Sequence, residues 1–460
     1  MKKTVLFLTV MATLFVACKQ STPKGFTGAD GEVSLIVLDP GHFHAALLQK
    51  SSYSQINHEV FVYAPDGDEV GEYLEKIESF NTRSDSPTSW KETVYKGDDY
   101  LSKMLQQKPG NVVVLAGNNQ KKTDYIYQLV QAGLNVLSDK PMVIDTKNYE
   151  LLKQSFEVAA KNGVLLYDVM TERFEITTLL QKEFSQLPEV FGQLQKGSPE
   201  QPAVVKESVH HFFKTVAGVP LKRPTWYYDV KQQGEGIVDV TTHLVDLVQW
   251  ACFPEQIIDI NNINVYQAKR WPTVLSKEQF ELSTGASAFP EFLRKDLKGD
   301  SLVAYSNGAF NYTINGVHAM ISVIWNFQAP EGTGDTHYSI MRGELCNAII
   351  RQGQEQNYLP TLYIEPQSEV DKKDFSLRLE KGLTTLQAKY PGIGLKETKE
   401  GWEVLIPDAY HVGHEAHFAQ VAQNYLSYLK DGKLPEWEVP NMLSKYYTTT
   451  KALEVAGENK

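Results

Sequence analysis

The chain has 460 residues, 42% of them hydrophobic and 11% aromatic, which is enough for two domains with sizeable cores and excludes a disordered polymer. A formal net charge of −11 without any block of lysine or arginine speaks against a nucleic-acid partner. Three cysteines are too few for a disulfide framework.

Taken in chain order, Lys2 and Lys3 precede an apolar run at 5–16, shorter than the ~20 residues of a membrane-spanning helix, so residues 1–18 read as an export signal. The run closes on Phe15-Val16-Ala17-Cys18, which resembles a bacterial lipobox, and the polar stretch 19–31 follows as a tether. Cys18 is therefore the expected lipidation site. The mature chain is expected to be exported and lipid-anchored to a bacterial membrane, periplasmic or cell-surface, with that anchor its only membrane contact. Cys252 and Cys346 are expected to be buried small apolar residues rather than a bridge.

Residues 33–38 form an apolar first strand, and Asp39-Pro40-Gly41-His42-Phe43-His44 turns into a first helix whose N-terminus can hold an anion. A second strand at 59–63 runs into a turn carrying Asp66 and Asp68. The stretch 112–145 is the most informative. Residues 112–116 are an unbroken, mostly β-branched run, the pattern of a strand covered on both faces. Gly117-Asn118-Asn119 breaks it, a helix follows with Tyr125, Ile126, Leu129 and Val130 on one stripe, and a short strand leads into Asp139-Lys140-Pro141. This is a parallel βαβ unit, and ligands of such sheets bind beyond the carboxyl ends of the strands, which places Asn118, Asn119 and Lys140 on the binding edge. Residues 164–170 read as the last strand of this domain, followed by Thr171-Glu172-Arg173-Phe174.

The remainder reads as a second domain. Strands are expected around 191–194 and 204–213, the latter carrying His210 and His211 on opposite faces. The cluster Arg223-Pro224-Thr225-Trp226-Tyr227-Tyr228 suits either a sugar face or packing between domains. Gly234-Glu235-Gly236 then leads into an apolar stretch on which Asp239 and His243, four apart, share a helical face with Asp246 and Trp250. Alternating strands separated by turns fill 257–350. His411, His414, Glu415 and His417 fall near the start of a late helix, but His414-Glu415-Ala416-His417 is one residue short of the zinc-protease spacing and Gly413 interrupts the turn, so no metal is expected.

Ala116-Gly117-Asn118-Asn119, Ala132-Gly133, Asp139-Lys140-Pro141 and the Gly234-to-Trp250 segment together resemble the Gfo/Idh/MocA oxidoreductases, typified by glucose-fructose oxidoreductase and inositol dehydrogenase. The resemblance implies an N-terminal Rossmann domain, a doubly wound parallel sheet at 32–170, and an α+β domain at 171–460 on a large, mostly antiparallel open sheet, with possible homo-oligomers formed through that sheet. It implies hydride exchange between a nicotinamide and a carbinol carbon of a sugar or cyclitol, with His243 as base, Lys140 as the cation beside the developing alkoxide, and Asp239 orienting His243 or the substrate. Gly41, His42, Asp66, Asn118, Asn119 and Lys140 would line the cofactor, and Arg173, His210, Trp226 and Tyr227 the substrate. A carboxylate at Asp66 would accept from the adenosine ribose and repel a 2′-phosphate, which favours NAD over NADP. The chain departs from the family pattern where a Gly-x-Gly-x-x-Gly loop belongs: Ile36 and Leu38 stand in the first two glycine positions and only Gly41 matches. Two other outcomes remain open, a glycosidase or lyase working through a 3-keto sugar and a cofactor-free sugar-binding lipoprotein.

Overall fold

The computed structural model describes residues 25–216 and 219–458, so Cys18 and the apolar run before it lie outside the described residues. Six short strands form the first sheet: β1 (Leu35–Leu38), β2 (Glu59–Ala64), β3 (Lys91–Lys96), β4 (Val112–Leu115), β5 (Asn135–Ser138) and β6 (Leu166–Asp168). All pairings are parallel and the spatial order is 3-2-1-4-5-6. Every residue of β1, β4 and β5 is buried, as expected of strands covered by helices on both faces. The strand β3, at the sheet edge, exposes its lysines. The order reverses between β1 and β4, and that switch point opens the crevice in which such sheets bind ligands.

The second sheet has ten strands and is antiparallel except where β7 (Val204–Phe213) runs parallel to Val317–Gln328. The strand expected around 191–194 is instead the end of a short helix, Pro188–Phe191, stopped by Gly192 at φ 70°. Proline at its first turn and a left-handed glycine after it are helix signals that outweigh the local apolar run. The helix Thr241–Cys252 packs beneath this sheet, and the Gly-x-Gly before it has a steric cause: a Cβ on Gly236 would lie 1.6 Å from the Ser306 carbonyl oxygen. Asp239 sits in the turn before this helix rather than on it, so the expected shared helical face of Asp239 and His243 does not form.

The last two helices, His414–Asp431 and Glu438–Glu458, return to the first domain. Phe418, Val421, Tyr425, Leu429, Met442 and Tyr446 belong to the core built on the parallel sheet. Cys252 and Cys346 are free thiols, and no helix among the described residues is long and apolar enough to cross a membrane.

Candidate active site at the domain cleft

β5 delivers Asp139 and Lys140 to the carboxyl edge, with a cis peptide between Lys140 and Pro141. The Lys140 ammonium donates to Asp239 Oδ1 at 2.7 Å, both groups being nearly buried. Asp239 Oδ2 accepts from the Gln233 amide at 3.0 Å. Burial would raise the Asp239 carboxyl, but Lys140 and Gln233 hold it below its ordinary value. His243 lies in the same buried region, and its Nδ1 has no hydrogen-bond partner among the described residues. Burial, then the Lys140 charge, push its imidazole well below the ordinary value, leaving it neutral. Asp239 is thus the partner of Lys140, not the residue that orients His243.

Several expected site residues have other occupations. Arg173 is buried in an ion network, bidentate to Asp246 at 2.7 and 2.8 Å and donating to Glu438 at 2.8 Å, so its guanidinium is spent on structure and cannot reach a substrate. Trp226 and Tyr227 are 7% and 8% exposed and belong to an aromatic cluster of the second domain; Trp226 covers Gly41, and Tyr227, under the Arg223 guanidinium, lines a small cavity with Gln233 and Asp239. Asn119 is 4% exposed and donates to the Gln233 carbonyl at 2.7 Å, while Asn118 caps its helix and donates to Gln232 at 2.7 Å, so both clasp the second domain to the first. His210 stays half-buried on the second sheet, held by Asp335 at 2.9 Å and stacked on Trp325. Asp66 is well exposed at the rim of an open cleft of about 650 Å³ with Asp68, Glu72, Glu75, Lys96 and Lys222.

The loop after β1 departs furthest from a phosphate cradle. Its helix is only four residues long, His44–Leu47, so the anion site expected at that N-terminus is not built. The Gly41 and His42 amides, which would face a diphosphate, both donate to the Ala116 carbonyl at 3.2 and 3.1 Å. Gly117 permits this closeness, since a Cβ there would lie 2.3 Å from the Asp39 carbonyl oxygen. The His42 side chain turns toward Asp139. The residues therefore suit a nicotinamide cofactor at its two ends, the unpartnered His243 nitrogen within the field of Lys140 and the Asp66 cleft, and depart from the family in between.

Three further groups face the Lys140 charge, a placement that the sequence does not signal. Glu172 is pushed up to about 7 by burial and then Glu175. His414 is 3.7 Å from Glu172, and burial with His417 pushes it down to about 4. Lys122, only 2% exposed, donates to the Asp139 carbonyl at 3.1 Å. A helix-start histidine 242 residues downstream of Glu172 carries no local sequence signal of that meeting.

A Rossmann sheet that presents a lysine at its carboxyl edge to an aspartate and a histidine of a second sheet domain defines an NAD(P)-dependent oxidoreductase of the two-domain kind. The comparisons agree. The family model "Putative oxidoreductase C terminal domain" matches residues 180–457, and the model "Oxidoreductase family, NAD-binding Rossmann fold" matches residues 68–169. The crystal structure of a "putative oxidoreductase" from Parabacteroides merdae ATCC 43184 is 56% identical, covers 95% of this chain and 100% of its own, and superposes with a TM-score of 0.93. The chain belongs to the Gfo/Idh/MocA oxidoreductase family. An oxidoreductase structure from Erwinia carotovora atroseptica SCRI1043 is 12% identical with a TM-score of 0.58, covering 92% of this chain and 98% of its own. Levoglucosan dehydrogenase in complex with NADH and levoglucosan is 9% identical with a TM-score of 0.58, covering 93% of this chain and 98% of its own. At such identities the likeness is one of fold. No curated protein matches the chain.

Proposed function

We propose that this protein exchanges a hydride between NAD(H) and a carbinol carbon of a sugar or cyclitol, as an exported, lipid-anchored enzyme. The observation that carries the reading is the Lys140–Asp239 ion pair at 2.7 Å in the same buried region as a neutral histidine with an unpartnered nitrogen. The bound nicotinamide supplies the hydride acceptor. His243 takes the substrate hydroxyl proton at Nδ1, Lys140 stabilises the alkoxide as it forms, and Asp239 with Gln233 keeps the ammonium aimed. Asp66, with three neighbouring carboxylates against two lysines in the same cleft, favours NAD over NADP. A carbohydrate substrate is supported by the shared fold of levoglucosan dehydrogenase, a protein that binds NADH and levoglucosan. The open face of the large sheet, with Met320, Tyr338 and Tyr363 partly buried on it, suits a homo-oligomer contact.

The test is to offer purified protein a panel of free sugars, cyclitols and glycosides with NAD+ and NADP+ and to follow cofactor absorbance and keto-sugar formation. Lys140→Ala and His243→Ala should each lower the rate on the order of 10²-fold or more. Variants as fast as the wild type, or no turnover with any of the panel, would defeat the reading. A second reading is favoured by Glu172: a carboxyl raised to about 7, 3.7 Å from His414 and within the field of the Lys140 charge, suits the leaving-group acid that a glycosidase or lyase acting through a 3-keto intermediate requires. Family membership supports either enzyme over a cofactor-free binding protein.

A further inference from the structure

We infer that His42, His44 and Asp139 form a binding site for one divalent transition-metal ion, of the zinc, cobalt or nickel kind, in the loop that has lost its glycines. This goes beyond the hydride-transfer reading, and it places a metal where the sequence alone suggested none.

Three donor atoms converge there. Asp139 Oδ2 is 3.0 Å from His44 Nδ1 and 3.5 Å from His42 Nδ1, and all three donor atoms lie within 4.8 Å of one another. Ligand atoms held at ~2.0–2.2 Å around a tetrahedral ion are roughly 3.3–3.5 Å apart, so two edges of this triangle already have nearly the length that coordination requires. The set of two imidazole nitrogens and one carboxylate oxygen is that of an open zinc-type site, in which water or a substrate oxygen takes the fourth position.

A hydrogen-bonded rest state accounts for the cluster less well. The buried His42 Nδ1 has no partner within hydrogen-bonding geometry, although a carboxylate oxygen lies 3.5 Å away. One oxygen faces two imidazole nitrogens, His44 at 3.0 Å and His42 at 3.5 Å. An ion among the three would use all of them. The supports are rigid: the Gly41 and His42 amides are anchored on Ala116, Asp139 donates its backbone N–H to Leu115, and the Lys122 ammonium holds the Asp139 carbonyl. His44 is also wedged by Phe43, Phe418 and His414, whose ring centres lie 4.4, 4.8 and 5.4 Å away. Repulsion from the neighbouring Lys140 ammonium is reduced by its own ion pair with Asp239 at 2.7 Å. The lost glycines and the metal site have one cause, a loop that folds its amides inward and presents two imidazoles instead.

The experiment uses the full-length protein without a polyhistidine tag, stripped with chelator and titrated with Zn2+ by calorimetry and with Co2+ by visible absorption. About one equivalent of Zn2+ should bind, and Co2+ should give an intense tetrahedral or five-coordinate d–d band that Zn2+ displaces. His42→Ala, His44→Asn and Asp139→Asn should each weaken binding at least 100-fold, while His411→Ala, in the exposed histidine tract, leaves it unchanged. Near-UV circular dichroism shows which variants keep the native fold, and if none does, the wild-type stoichiometry and Co2+ band decide alone. Absence of a stoichiometric site in the wild type, only a weak octahedral Co2+ spectrum, or a band that survives in well-folded His42→Ala and His44→Asn would overturn the inference.

Discussion

Lys140 stands on the binding edge in the sequence and is clamped there in the structure by Asp239, which Gln233 holds in turn. Gln233 donates to Asp239 at 3.0 Å and, through its carbonyl, accepts from Asn119 at 2.7 Å, so a single amide residue ties the site to the clasp between the domains. In Asp239→Asn the ammonium keeps a hydrogen-bond acceptor but loses its charge partner. We expect kcat to fall on the order of 10–100-fold with KM changing less, because Asp239 acts through Lys140 rather than on substrate. A KM effect alone, with kcat intact, would instead place Asp239 in substrate binding. Gln233→Ala should show the same pattern more weakly, measured in the same assay.

At the scale of elements, the helix Thr241–Cys252 is held from one side by charge. Asp246 accepts from Arg173 at the end of the parallel domain and from Lys445 of the last helix at 2.9 Å, and Lys445 also reaches Asp168 at 2.8 Å. Asp246→Asn would leave two buried cations short of a partner, and unfolding free energy should drop by about 3–5 kcal/mol, read as a lower denaturant midpoint at unchanged m. Burial opposes the charge on Asp246, but Arg173 and Lys445 hold its carboxyl below the ordinary 3.8. A carboxyl depressed in the folded state contributes stability that is complete above about pH 4 and fades as pH falls through its folded value, so acid unfolding of the wild type should start below about pH 4 and that of Asp246→Asn should lose this component. Identical acid profiles would refute the assignment. The same network explains what the sequence left illegible. β1, β4, β5 and the alternating strands of the second sheet could be read because apolar periodicity is local. The edge strand Lys91–Lys96 could not, since it faces solvent with charges, and the return of Phe418, Tyr425 and Tyr446 to the first core is a tertiary event. Arg173 read as a binding residue because nothing nearby in sequence shows that Asp246 and Glu438 neutralise it. Lys140, Asp239 and His243 could be read as a set only through the family resemblance, Glu172 and Lys122 carried no signal of a site, and His414 stood out only as one of a late histidine tract.

For the whole molecule, the question is which chemistry the cleft performs and where. Anchoring is the simpler half: Cys18→Ala should shift the protein from the membrane fraction to the soluble exported fraction, and mass spectrometry should find lipid on Cys18 of the wild type. Unchanged fractionation with an unmodified cysteine would exclude the anchor. The chemistry turns on Glu172. A dehydrogenase needs a base and a cation, the roles proposed for His243 and Lys140, and it consumes one oxidant for each keto sugar made. A glycosidase or lyase needs in addition an acid for the departing oxygen, and it releases that group without net change in cofactor. Glu172, pushed up to about 7 by burial and its neighbour Glu175, is protonated enough near neutrality to serve, and its supply of protons is lost as pH rises through that value. If leaving-group departure is the outcome, aglycone release from glycosides should fall above about pH 7, and Glu172→Gln should abolish that fall while slowing release on the order of 10²-fold or more. Free-sugar oxidation by Glu172→Gln should stay within a few-fold of wild type in either case. Release that tracks cofactor reduction one for one, and that is indifferent to Glu172, would leave the simple dehydrogenase; release without net reduction that dies with Glu172 would make the 3-keto route the protein's activity.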